Sequence, residues 1–229
     1  MKKTTKNTKS KKNPKCKKNY THITVILDKS GSMGTCLNDT IGGFNQFLKT
    51  QKEIKGEASA TIVQFDDRYN MMVDMKPLTD IEDLNDKTYV PGGFTALLDA
   101  IGKTINSVKA QIENKAKKDK PEKVIFVIIT DGEENSSKEF NRDQIMSMIE
   151  SNKKENNWEF VFIGANQDAI KSGGNIGINR GSTLNYVADA KGTQIMYCSL
   201  SSSMSNYRAR SINDTQDFFD PNTTKDINK

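Results

Sequence analysis

Histidine is nearly missing from this chain: His22 is the single one in 229 residues. Any Ser-His-Asp or Cys-His mechanism would have to use that imidazole. His22 opens a strand-like run, residues 21–28, where a histidine reads as packed or surface-facing rather than catalytic. Cysteine is scarce too. Cys16, Cys36 and Cys198 are odd in number and far apart, so they build neither a disulfide framework nor a CxxC metal clip, and a reducing compartment suits them best. No apolar run approaches the roughly 20 residues that a membrane-spanning helix needs, and the lysine-rich start lacks the apolar stretch of a secretion signal. The expectation is a soluble, cytoplasmic chain with no membrane partner.

Charge, by contrast, is abundant and unevenly placed. The 34 Lys and Arg outnumber the 29 Asp and Glu to give +5, yet residues 1–19 hold nine lysines and no acid, which leaves −4 on the remainder. Lysines without arginines or aromatics can neutralise phosphates but cannot read or stack bases. Residues 1–19 are therefore expected to be a disordered basic arm, with non-specific, salt-sensitive nucleic-acid binding as its possible use. Residues 212–229, rich in Asn, Asp and Thr, read as a disordered tail. Residues 20–211 are expected to form one domain.

Within that domain, strand-like and helix-like segments alternate, the pattern of an α/β fold with a doubly wound, mostly parallel sheet and helices on both faces. Strands are expected at residues 23–28, 58–65, 69–75, 124–129, 160–163 and 183–187. The second and third are separated only by Asp66-Asp67-Arg68, so they should pair antiparallel as a hairpin at one edge. Residues 124–129 are six apolar residues in a row, which marks a central strand covered on both faces. Helices are expected at residues 36–52, 96–115, 141–154, 168–172 and 192–209. In the second of them Leu98, Ile101, Ile105, Val108 and Ile112 share one side.

Ligands of such sheets bind beyond the carboxyl ends of the strands, where the strand order reverses. Three segments bring oxygen-bearing side chains to that edge: Asp28-Lys29-Ser30-Gly31-Ser32 after the first strand, Gly93-Phe94-Thr95 before the long helix, and Thr130-Asp131-Gly132 after the central strand. Taken singly, Thr95 reads as a helix cap and Asp131-Gly132 as a turn. A carboxylate directly after an apolar strand, twice over, together with alternating hydroxyls, is harder to assign to capping.

At these residues the sequence resembles the von Willebrand factor A domains. Asp28-Lys29-Ser30-Gly31-Ser32-Met33 matches their DxSxS motif, Thr95 after Gly92-Gly93 matches their isolated threonine, and Asp131 in Thr-Asp-Gly matches their isolated aspartate. The resemblance runs from about residue 23 to 209. It implies a Rossmann-like fold and a metal-ion-dependent adhesion site formed by Asp28, Ser30, Ser32, Thr95 and Asp131. Hard oxygen donors of this kind suit Mg²⁺ or Mn²⁺. In the family pattern Ser30, Ser32 and Thr95 coordinate directly while Asp28 and Asp131 mostly hold waters. The metal then attracts an Asp or Glu of a partner protein, so the expected function is non-catalytic protein binding within an intracellular assembly.

The alternative from another class is a metal-dependent hydrolase or phosphotransfer enzyme using Asp28, which would lack a histidine base because His22 starts the strand that Asp28 ends. Weaker signals carry little. Gly102-Lys103-Thr104 imitates a phosphate-binding loop, but Leu97 stands where the required glycine should be and the tripeptide lies mid-helix. Asp66-Asp67 reads as turn chemistry, Gly173-Gly174 as a flexible connection, and Glu133-Glu134 as an acid pair at a helix start.

Overall fold

The computed structural model describes residues 16–165, 169–212, 214 and 216–220. Its centre is a six-stranded sheet ordered β3-β2-β1-β4-β5-β6. The strands are β1 (Lys17–Asp28), β2 (Glu57–Phe65), β3 (Tyr69–Pro77), β4 (Pro121–Thr130), β5 (Glu159–Ala165) and β6 (Thr183–Tyr186). All neighbours are parallel except β3, which pairs antiparallel with β2 at one edge, as the short polar connection between them requires. The helices are α1 (Leu37–Glu53), α2 (Leu97–Asn114), α3 (Arg142–Asn156), α4 (Ala169–Gly174) and α5 (Ala190–Ala209).

Alternation along β1 and β4 divides the core into two layers. Ile23, Val25 and Leu27 with Ile125, Val127 and Ile129 face Phe44, Leu48, Met196 and Leu200 of α1 and α5. Ile26 with Val124, Phe126 and Ile128 faces Leu98, Ile101, Ile105, Ile145 and Ile149 of α2 and α3. Both faces of the two central strands are thus covered, which explains why residues 124–129 carry no polar alternation. The strand order reverses between β1 and β4, and their carboxyl ends open the crevice used below.

Local signals set the helix ends. Asn141 caps α3 by accepting from Gln144 N at 3.0 Å, while the Gln144 side chain accepts from Asn141 N at 2.9 Å. The last helix starts earlier than expected, at Ala190, because Asp189 caps it by accepting from Gly192 N at 2.6 Å. Gly43 of α1 lies against the buried ring of Tyr197 in α5, and an added Cβ there would overlap that ring.

The two outer boundaries of the domain also differ from the sequence expectation. Strand β1 begins at Lys17, inside the stretch assigned to the basic arm, because Lys17 N donates to Lys120 O at 3.1 Å and Asn19 N to Glu122 Oε2 at 2.8 Å. The stretch assigned to the tail also docks in part. Phe218 and Phe219 are buried, Phe219 N donates to Gly181 O at 2.9 Å, and the Phe218 ring lies 6.1 Å from that of Tyr207. Residues 1–15 and 221–229 of the expected arm and tail, and Asp168 of the expected fourth helix, lie outside the described residues. Among the described residues no helix is long and apolar enough to cross a membrane.

Candidate metal centre

Asp28 is the last residue of β1 and is fully buried. One oxygen of its carboxylate accepts from Ser30 N at 2.6 Å and the other from the Thr130 hydroxyl at 2.6 Å, so β1 and β4 are joined at their ends. Burial pushes the Asp28 carboxyl up to about 6, against the hydrogen bonds from Thr130 and Ser30 that favour the anion, and the charge of Asp131 adds to the rise. Burial also raises the Asp131 carboxyl, opposed by the Ser32 hydroxyl that donates to it at 2.6 Å. Two carboxyl groups held above their ordinary range in one crevice are what a cation would relieve.

The hydroxyls converge in front of them. Ser30 Oγ and Ser32 Oγ are 3.3 Å apart. A Cβ built on Gly132 would stand 3.2 Å from Thr95 Oγ1, 3.7 Å from Ser32 Oγ and 3.9 Å from Ser30 Oγ, so side chains from two separate loops face one point beside a third. Asp28, Ser30, Ser32, Thr95 and Asp131 are therefore all brought to the same crevice. With Mg–O distances near 2.1 Å, neighbouring oxygens of a Mg²⁺ octahedron stand about 3.0 Å apart. The Ser30–Ser32 separation of 3.3 Å comes close to that edge. The donor set is all oxygen and mostly neutral, which fits a hard divalent ion. Among the described residues no group of three or more His, Cys, Asp or Glu gathers as a metal site. A softer, nitrogen- or sulfur-ligated metal finds no such cluster there.

Backbone hydrogen bonds behind these residues fix the loops. Lys29 N donates to Phe65 O at 2.7 Å, Gly31 N to Gly93 O at 3.2 Å, and Gly92 N to Lys29 O at 2.8 Å. Gly93 has φ +74, the left-handed region that favours glycine, and an added Cβ would also displace the Asp67 carboxylate. The Lys29 ammonium, the one cation inside the motif, is turned aside and donates to the buried Asp66 carboxylate, which also accepts from Arg68 N at 2.6 Å. Burial would raise the Asp66 carboxyl, but the bonds from Arg68 and Lys29 outweigh it and the carboxyl lies below its ordinary value.

Several of these partners carry no sequence signal. Tyr89, fully buried, donates its hydroxyl to Asp28 O at 2.6 Å across sixty-one residues. Asn135 accepts from Thr95 N at 2.9 Å, and Asn135 N and Ser136 N return bonds to Thr95 O at 3.0 and 3.2 Å. Glu134, expected at a helix start, does cap one, but it is α2: its carboxylate accepts from Leu98 N at 2.9 Å as well as from Ser136 N and Ser137 N. Asp99 answers from α2, accepting from Lys138, Glu139 and Phe140 N at 2.9 Å each. Burial alone would raise its carboxyl; the three N–H donors outweigh it and hold the carboxyl below its ordinary value.

His22 is not part of this arrangement. It is fully buried six residues upstream of Asp28, with Nδ1 2.8 Å from Ser59 Oγ and Nε2 3.2 Å from Thr61 Oγ1. Burial, and secondarily the charge of Lys115, pushes its imidazole down to about 3.

A doubly wound sheet with hydroxyls and carboxylates gathered at its switch point, where sheets of this kind take ligands, defines the class as an open α/β domain. The chain belongs to the von Willebrand factor type A domain family, whose model matches residues 22–197. It is similar to proximal thread matrix protein 1 of the mussel byssus in a form with a zinc-occupied MIDAS motif, at 12% identity and TM-score 0.56, covering 81% of this chain and 46% of that one. It is also similar to a von Willebrand factor type A protein from Catenulispora acidiphila, at 12% identity and TM-score 0.56, covering 81% of this chain and 43% of that one. Manganese-loaded TRAP of Plasmodium vivax follows at 14% identity and TM-score 0.52, covering 77% of this chain and 72% of that one. At such identities the likeness is one of fold, and this chain spans less than half the length of the first two. No curated protein sequence matches the chain.

Proposed function

We propose that this domain is a divalent-cation-dependent protein-binding module, non-catalytic, that takes an Asp or Glu side chain from a partner protein. The observation that carries the reading is the convergence of the Thr95, Ser32 and Ser30 hydroxyls on one point beside Gly132, with the Asp28 and Asp131 carboxylates behind Ser30 and Ser32. Family membership and the zinc and manganese in two solved relatives support it. Mg²⁺ or Mn²⁺ held there would supply a Lewis-acidic coordination position for a carboxylate. Ser30, Ser32 and Thr95 offer neutral oxygens, so little of the ion's charge is quenched at close range. Asp28 stays behind, held by Ser30 N and Thr130, and orients the Ser30 backbone rather than meeting a ligand.

A hydrolytic role is disfavoured by the same geometry. The single histidine is buried, neutral and elsewhere, and both Asp28 oxygens already accept hydrogen bonds. Calorimetric titration with Mg²⁺ and Mn²⁺ tests the reading. Asp28→Ala and Ser30→Ala should each abolish measurable binding while circular dichroism stays that of the wild type. Unchanged affinity in both variants would refute it.

A further inference from the structure

Phe94 is 69% exposed and Val90 is 59% exposed, although both belong to the loop that delivers Thr95 to the crevice. Among the described residues these two are the most exposed of the large apolar side chains, and they lie four positions apart on one loop. The loop is not a loose one that happens to carry them. On one side of Phe94, Gly92 N is bonded to Lys29 O and Gly93 O accepts from Gly31 N; on the other, Thr95 is bonded through N and O to Asn135 and through O to Ser136. Val90 follows Tyr89, whose hydroxyl is anchored on Asp28 O. The backbone thus holds an aromatic ring in solvent directly beside a candidate metal ligand. An exposed aromatic ring offers a large apolar area for a partner to cover, and a backbone already held in place leaves less to order when it does.

Resting on the function proposed above, we infer that Phe94, on the loop that also exposes Val90, is an apolar docking site next to the metal centre, and that the partner presents a carboxylate with an apolar side chain near it. The spacing follows from geometry. Adjacent Cα atoms are 3.8 Å apart, so the Phe94 ring begins within one residue of Thr95 and extends several ångströms further. In an extended partner segment, side chains two positions apart lie on the same face about 6.6 Å apart. With an Asp or Glu at the metal, a residue two positions away, at −2 or +2, in such a segment would come within reach of Phe94, and an aliphatic or aromatic side chain there would cover the ring. A partner with a polar residue at both positions would leave Phe94 as wet as it is in the free domain.

The probe is a displayed library of random peptides, selected on the full chain in Mg²⁺ and in parallel in EDTA, with Phe94→Ser and Val90→Ser as comparison proteins. Both side chains are exposed, so neither substitution removes a core contact. The expected outcome is a Mg²⁺-dependent set of peptides with Asp or Glu and an apolar residue two positions away, whose synthetic versions bind Phe94→Ser at least about tenfold more weakly. Peptides that need Mg²⁺ and an acid but show no apolar preference, or that bind Phe94→Ser equally well, would overturn the docking site and leave the metal reading standing. Binders that ignore Mg²⁺ or lack an acid, or the recovery of no binder at all, would overturn both.

Discussion

Acid should destabilise this protein through His22 by an amount the structure sets. In the unfolded chain the imidazole takes a proton near its ordinary value of 6.5, whereas in the fold burial holds it near 3. A group depressed in this way leaves stability intact above 6.5 and removes it progressively as pH falls, because only the unfolded state binds the proton. One pH unit below the unfolded value the loss is about 1.4 kcal/mol, and the limit, with 3.5 units between the two values, is about 5 kcal/mol. Asp28 acts in the opposite sense over part of this window, since its carboxyl is raised to about 6 and its protonation favours the fold as pH falls. The measurement is therefore a difference: urea unfolding at about pH 7.5 and about pH 5.5, in EDTA, for wild type and His22→Gln. Wild type should lose about 1 to 1.5 kcal/mol more than the variant between those pH values. Because the chain has one histidine, its imidazole resonance is unambiguous in NMR, and it should not shift between pH 7 and 5 in the folded protein. A midpoint near 6 for that resonance, or equal losses in the two proteins, would show that His22 is solvated and that the buried Ser59–His22–Thr61 arrangement is wrong.

Two further substitutions check the packing around the site. Gly43→Ala should cost about 1–3 kcal/mol in urea unfolding, because the added methyl meets the buried Tyr197 ring and the α1–α5 seam must open; no loss would mean the helices are less closely packed than described. Phe219→Ala should cost about 3 kcal/mol while leaving calorimetric Mg²⁺ affinity unchanged, since Phe219 fills the α5 layer away from the crevice; a stability change near zero would restore the picture of a loose tail.

How much of this was legible before the structure depends on whether a feature is periodic or a matter of chain closure. The doubly wound sheet follows from residues 124–129, apolar on both faces, and from the short Asp66–Arg68 link that forces an antiparallel edge. The motif residues Asp28, Ser30, Ser32, Thr95 and Asp131 were readable because each directly follows or precedes such an element, and the fold carries all strand ends to one side. Lys17–Asn19 were not readable as strand, since lysine and asparagine bring no alternation and pair only because Lys120 and Glu122 are there to receive them. Phe218 and Phe219 stand as a lone apolar pair in a polar stretch, and only the surface offered by Tyr207 and Gly181 makes them core. Tyr89, Asn135 and Glu134 act across thirty-six to sixty-one residues on backbone atoms, a relation that no local pattern encodes.

The cross-bonding between the Thr95 segment and residues 134–140 has a kinetic consequence. Thr95, Leu98 and Asp99 are tied to Asn135, Glu134 and Ser137, and Asp99 in turn holds Lys138, Glu139 and Phe140. The two loops that flank the crevice cannot drift apart independently, so a partner of the kind proposed would meet walls already in register. Little ordering is left for the moment of contact, and the association rate should be governed by diffusion and orientation instead of by a search among loop conformations. Differences in affinity among partners would then be written mainly in how long each one stays.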